Sequence, residues 1–342
     1  LLRANKSLLA KQIVGSAFAK SILAYLLAGA SRTQQRMARG NLAEDPAPLC
    51  PHCGQAEETM RHIIWYCPRW APMCEMLWEV FNIDGLEQLP PCTAHCGVIL
   101  EDPELMQWRR DFINMEPPRP AWPVPLDDEF DRSLETHNSQ HTHVRIATDG
   151  ACRHAADDRL RTAGFGVYVG PGHTQNFSAP IFGLQQTAQR AEVAAIHHVV
   201  CRCAWQPTEI ISDSAMCVGK MEDIAAGKRG NHTQHADLWN QIETAIDARD
   251  PGYFLCRWVP AHTVEADAGQ LINHDDREMN KGADALAVQA ALVYAPPERL
   301  VIGAKTRRKQ ALAIQATAIA VLEVRALVRP LHGSCSDEHN DH

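Results

Sequence analysis

The sequence has no run of about 18 residues that is both apolar and free of charge. Lys11 and Lys20 interrupt the best candidate, Leu8 to Ala30, so no membrane partner is expected. Nor does a basic–apolar–small secretory pattern follow Leu1. We read that start as a point inside a longer reading frame and expect an intracellular protein, nuclear or cytoplasmic. Positive charge is not in excess: a formal net charge of −8 and a pI near 6.1 exclude nucleic-acid binding through bulk charge, though a local basic face remains open. Internal repeats are also lacking. With 45% apolar and 22% charged residues, wholesale disorder is excluded, and 342 residues suffice for two domains.

What is abundant is cysteine and histidine, 12 and 17 residues. Without a secretory signal these thiols are expected to be reduced, some holding metal, which makes their spacing informative. Composition divides the chain into a basic helical segment (1–40, seven Lys/Arg and no acid), a Cys/His-rich module (41–75), a linker (76–140), an α/β domain (141–296) and a basic helical tail with a polar C-terminus (297–342). Within the linker, the proline-rich stretch 117–125 favours an extended, stiff conformation.

In the α/β domain, Val144 to Thr148, Gly164 to Val169, Gln175 to Ile181, Glu209 to Ser212 and Tyr253 to Val259 have strand character. Helical periodicity covers Thr187 to Ala204, Ala215 to Ala226, His235 to Ala248 and Arg277 to Val293, and the tail carries another helix from Ile302 to Leu331. Three strands followed by helix–strand alternation predict a mixed five-stranded sheet flanked by helices.

Four acids sit where acids are costly. Glu192 shares a helical row with Ala188, Ala195, Ile196 and Val199, a face that should pack on the sheet. Asp149 and Asp213 are placed at the ends of two strands, and Asp284 lies four residues from Asn280 on one helix face. Any one of them alone reads as a turn former or helix cap. Four elements each aiming an acid at one point repel strongly unless a hard cation is present. Mg²⁺ (or Mn²⁺) suits such oxygen ligands, and two ions about 3.5–4 Å apart suit phosphodiester cleavage.

Cys50-x2-Cys53, Gly54, His62 and Cys67 make a Cys3His set suited to a closed, structural Zn²⁺ site, with His52 and Cys74 as spare candidates and Cys92, His95 and Cys96 unassigned. The Cys-Pro-His-Cys-Gly turn resembles a zinc knuckle. Together with the basic stretch before it and Glu58-Thr59-Met60-Arg61-His62, it resembles the zinc-binding module near the C-terminus of non-LTR retroelement reverse transcriptases.

Thr148-Asp149-Gly150-Ala151, Thr187-Ala188-Gln189-Arg190-Ala191-Glu192, Ser212-Asp213-Ser214, Ala236-Asp237-Leu238-Trp239, Trp258-Val259-Pro260-Ala261-His262 and Asn280-Lys281-Gly282-Ala283-Asp284 resemble, in order, type-1 ribonuclease H over about 143–295. The resemblance implies a ribonuclease H-like fold and metal-dependent cleavage of the RNA strand of an RNA–DNA hybrid. It further implies Asp149, Glu192, Asp213 and Asp284 as metal ligands, with His262 on a loop assisting proton transfer or product departure. Thr187, Gln189 and Asn280 are candidate substrate contacts, reading ribose 2′-hydroxyls.

Two departures stand out. Arg153 to Arg159 replaces a glycine-rich turn, and an acidic stretch with Glu265, Asp267, Asp275 and Asp276 is expected to crowd the site. Both modules together suggest a retroelement-derived polyprotein, with its reverse transcriptase portion as a possible partner. No aromatic-x-Asp-Asp motif in a strand–turn–strand context marks the polymerase itself. A proofreading-type exonuclease would need a second acid at position 151, which is Ala. A catalytically silent nucleic-acid-binding module with structural zinc is the alternative, and a purely structural zinc-stapled scaffold is weaker still.

Overall fold

The computed structural model describes residues 17–40, 49–82, 89–115, 143–203, 206–230, 232–261, 263 and 272–328. The chain divides into two compact units, Leu1–Asp102 with Glu298–His342, and Pro103–Pro297.

The first unit contains α1 (Ala17–Leu27), α2 (Gln34–Arg39), a π-helical turn (His62–Tyr66), α3 (Ala71–Phe81), α4 (Pro91–Cys96) and the long α10 (Glu298–Leu327). The segment expected to be a separate tail is thus the central helix of this unit. Ile314 and Ala318 pack with Leu26, Ile64, Leu89 and Ala94, Ile319 with Ala19, Ile22 and Leu23, and Val321 with Ile63 and Trp70. Burying apolar area on several sides is what stabilises so apolar a helix. By length and composition alone α10 is long and apolar enough to cross a membrane, although its longest charge-free run is bounded by Lys309 and Glu323. Here the apolar residues of one part of the helix are buried in the unit's own core, and Arg325 forms an ion pair with the fully buried Glu58 at 2.7 Å.

Within 76–140, expected to be a linker, the described residues form the end of α3, α4 and α5 (Pro103–Ile113). α3 ends on Asn82 in the left-handed region at φ 50°. α5, which belongs to the second unit, buries Leu105 and Phe112, and Arg109 donates to the Arg161 carbonyl at 2.8 Å. The proline-rich stretch 117–125 lies outside the described residues.

The second unit is the predicted α/β domain: β1 (Val144–Arg153), β2 (Thr162–Tyr168), β3 (Phe177–Pro180), α6 (Ala188–His198, continued by a π-helical turn Val199–Cys203), β4 (Thr208–Ser212), α7 (Ala215–Ala225), α8 (Ala236–Asp247), β5 (Phe254–Trp258) and α9 (His274–Leu292). The sheet order is β3-β2-β1-β4-β5, antiparallel across β1–β3 and parallel from β1 through β4 to β5. Alternate residues of β1 serve opposite faces. Val144 and Ile146 join Ile196, Val199, Ile210 and Trp239 in the larger core, whereas Ala147 joins Ile211, Val259 and Ala283 of α9.

β1 is longer than the sequence suggested. Its parallel partner β4 stops at Ser212, opposite Thr148, but the antiparallel β2 keeps pairing through Arg153. Asp149 therefore lies inside β1, at the point where one of its two neighbours ends.

Candidate active site and metal centre

Asp149 follows the last residue of β1 that pairs with β4, and Asp213 follows the last residue of β4, so the parallel register sets the two carboxylates side by side. Glu192 reaches the same point from α6 because Gly150 lets that helix come close. A Cβ at position 150 would lie 2.3 Å from the Glu192 backbone nitrogen and 2.7 Å from the Ala191 carbonyl carbon. α6 is anchored at its start by Gln186, whose carboxamide bonds the Ala163 N–H at 2.8 Å and the Ile181 carbonyl at 2.7 Å. Arg190 pairs with Asp237 through two contacts of 3.0 and 2.6 Å. The misfit of Glu192 on an apolar row was legible in the sequence; the bracing by Gln186 was not, since a lone glutamine before a helix carries no pattern.

One carboxylate oxygen each from Asp149, Glu192 and Asp213 lies within 4.8 Å of the others. Asp284 stands outside that triplet but close enough for its charge to act on Asp149. Burial, then the charge of Asp213, push the Asp149 carboxyl up to about 7. Burial, then Asp149 and Asp213, push Glu192 up to about 10. The Gly150 N–H donates to Asp149 at 2.7 Å, and Asn280 donates to Asp213 at 3.4 Å. The exposed Trp258 donates its indole N–H to the Asp213 carbonyl at 3.0 Å. Glu192 Oε2 is buried without a hydrogen-bond partner. An orphaned carboxylate oxygen among other acids fits a hard cation.

The candidate substrate contacts divide. Asn280 faces Asp213, Gln189 is exposed in the first turn of α6, and the Thr187 hydroxyl oxygen caps that helix by accepting from the Arg190 N–H at 3.1 Å. His262, Glu265 and Asp267 lie outside the described residues.

The expected crowding by Asp276 does not occur, and Asp275-Asp276 open α9 instead of lying in a loop. Asp276 is buried beneath the sheet, bonded to Arg145, Arg257 and the cap residue Asn273, while Glu209 bridges the same two arginines. Burial alone would raise its carboxyl, but the Arg257 hydrogen bond and the charges of Arg257 and Arg145 hold it below the ordinary value. Strand arginines at an inward position and Asn273 three residues before Asp276 were the overlooked signals.

The second cluster joins Cys50, Cys53, His62 and Cys67, whose ligand atoms also lie within 4.8 Å. Cys50 and Cys67 sulfurs are 4.0 Å apart, and Cys53 Sγ is 3.3 Å from His62 Nε2. Gly54, at φ 66°, turns the chain so that its N–H returns to the Cys50 carbonyl at 2.8 Å. The π-helical turn presents His62, and its next residue, Cys67, donates back to the His62 carbonyl at 2.7 Å. Burial pushes the Cys67 thiol up to about 12 and raises Cys50. These thiols resist ionisation unless a soft cation takes them, and four converging donors leave no open position. His52 instead packs edge-on to Trp70 at 5.1 Å, and Cys74 sits in the core, so neither spare candidate joins the set.

Residues 141–292 match the family described as RNase H. No curated protein matches. Among solved structures, prototype foamy virus protease–reverse transcriptase is 21% identical, with 45% of this chain and 22% of that one covered and a TM-score of 0.35. The chain thus spans about a fifth of that protein's length. The RNase H domain of the same virus is 20% identical over 45% of this chain and 98% of its own, with a TM-score of 0.36. RNase H1 from Halobacterium salinarum NRC-1 is 19% identical over 43% and 96%, with a TM-score of 0.29. The family match falls on the unit whose five strands run β3-β2-β1-β4-β5, which has an RNase H-like fold.

Proposed function

We propose that this domain hydrolyses the RNA strand of RNA–DNA hybrids in a reaction that depends on divalent metal. The observation that carries the reading is the buried, partnerless Glu192 Oε2 beside Asp149 and Asp213, an arrangement that is unfavourable without a cation. Asp149, Glu192, Asp213 and Asp284 would hold two Mg²⁺ or Mn²⁺ ions. Such ions, when bound, supply an activated water and offset charge on the leaving oxygen.

The rest falls to the chain's own side chains. The Gly150 N–H and the Asn280 amide each fix one carboxylate, and the Trp258 indole holds the backbone of Asp213. Gln189, which is exposed, would contact ribose 2′-hydroxyls, the feature that separates RNA from DNA. His262, after β5, is assigned the proton delivered to the departing oxygen. Cys50, Cys53, His62 and Cys67 would hold a structural Zn²⁺ in the other unit. The pairing of that module with an RNase H domain supports action alongside a reverse transcriptase in a retroelement polyprotein.

Cleavage of an end-labelled hybrid by the full chain tests the reading. Products that require Mg²⁺ or Mn²⁺ and vanish in Asp149→Asn support it. Metal-independent products, or equal products from the variant, overturn it.

A further inference from the structure

The carboxylate and zinc sites leave one large feature unexplained, a cleft of about 1190 Å³ in the first unit. It opens between the end of α1, α2 and the residues that lead into the π-helical turn. Its ionisable lining is one-signed: Arg32, Arg36, Arg39 and Arg61, with His95. All four guanidinium side chains belong to exposed residues.

Among the described residues no carboxylate lines the cleft, and none of the four arginines has a carboxylate partner. The neighbouring acids are engaged elsewhere: Glu57 accepts from the Gln35 amide, and Glu58 from the Gln34 N–H and from Arg325. Arg36 reaches the Gly29 carbonyl at 2.5 Å, and Arg61 the Tyr66 hydroxyl at 3.2 Å, leaving most donors of both forks free. Tyr25, 52% exposed, contributes an aromatic face to the same concavity.

Four like charges gathered in one concavity repel one another, and in a chain of net charge −8 nothing in the overall balance calls for them. Guanidinium forks match phosphate oxygens two at a time, and lysine is absent from the lining. The volume is on the scale of a few linked nucleotides, and an exposed ring beside a phosphate track is how unpaired strands are held. An acidic peptide would satisfy the charge but leave the ring without a role.

We propose that this cleft binds the phosphodiester backbone of an unpaired RNA or DNA strand, with the arginines on successive phosphates and Tyr25 beneath a base. The inference stands apart from the nuclease reading, since the acids of that site lie in the other unit.

The test uses the full chain carrying Asp149→Asn, so that no probe is cut. Fluorescence anisotropy follows a labelled single-stranded oligouridylate of about 12 nucleotides, and a blunt hybrid of the same length, across KCl from about 50 to 200 mM. Arg32→Ala with Arg39→Ala should weaken single-strand binding by about tenfold or more at the lowest salt. The same pair should lower the slope of log K against log salt by about 1.4, because each lost phosphate contact removes about 0.7. Arg32→Lys with Arg39→Lys should keep the slope and lose less affinity, and blunt-hybrid affinity should change by less than about twofold in either pair. Zinc content equal to the parent's establishes that the unit is folded. Unchanged single-strand affinity in the alanine pair overturns the proposal. So does an equal loss for the blunt hybrid, or displacement of the oligouridylate by polyglutamate at matched charge.

Discussion

Glu192→Gln isolates what the carboxylate cluster does to the protein before any substrate arrives. Two unit charges 4.8 Å apart, the outer separation of the three ligand oxygens, repel by about 3.5 kcal/mol at an effective dielectric near 20. The fold answers by keeping a proton on Glu192, whose carboxyl lies near 10 instead of the ordinary value of about 4.3. The folded state therefore holds a proton that the unfolded chain releases. Without a divalent cation, the Glu192 contribution to stability should fall as pH rises above about 4.3, by at most about 1.4 kcal/mol per pH unit, until pH reaches its raised folded value.

Glutamine has the same shape and no such linkage. In EDTA at about pH 8 the variant should be more stable than the parent by roughly 2–4 kcal/mol, a Tm gain of roughly 5–10 °C for a unit of this size. The gap should close toward about pH 5. Saturating Mg²⁺ should stabilise the parent by about 2.7 kcal/mol at a hundredfold excess over Kd and the variant by little, so that cation reverses the gain. Thermal unfolding followed by near-ultraviolet circular dichroism, across pH with EDTA or Mg²⁺, measures all of this. Parallel pH curves with equal Mg²⁺ shifts would refute the cluster as a cation site.

Three further outcomes follow from single residues. Asp276→Asn should cost about 3 kcal/mol, at the low end for a broken buried pair because Arg257 is 38% exposed. The Asp276 contribution is present above about pH 4 and is lost as pH falls through its depressed folded value, so chemical-denaturation midpoints of parent and variant should converge in acid. Gly150→Ala sets a Cβ against α6 backbone atoms that cannot yield, which should cost about 3 kcal/mol and displace Glu192; cleavage and Tm should fall together, whereas Gly219→Ala, with nothing within 4 Å, should leave cleavage intact. Cys67→Ser should lower zinc from one ion per chain to none by elemental analysis and reduce the helical signal at 222 nm, because the Cys50 thiol, raised by burial, stays protonated without metal.

The unit that carries the four acids was legible because its chemistry conflicts with its packing pattern. An acid on the apolar row of α6, and acids just beyond two short β-branched strands, stand out against 3.6- and 2-residue periodicities. The topology followed from the order of elements. The failures share a cause, which is partners distant in sequence. Asp276 reads as a loop acid until Arg145 and Arg257, on β1 and β5, are brought over it by the sheet register. α10 reads as a detached tail because the residues that cover it, Leu26, Ile64 and Trp70 among them, precede it by more than two hundred positions. α5 was masked by neighbouring prolines, although Leu105 and Phe112 lie seven apart on one face. Gly54, by contrast, was predictable from local turn chemistry alone, and its positive φ agrees.

The account's central claim is that Asp149, Glu192, Asp213 and Asp284 together trap hard divalent ions at one end of the sheet. Anomalous scattering from crystals of the Asp149 parent soaked in Mn²⁺ tests it most directly. The account predicts two peaks about 3.5–4 Å apart among these four carboxylates, both lost in Asp149→Asn. A map with no peak there, or with manganese bound only elsewhere on the chain, would contradict it.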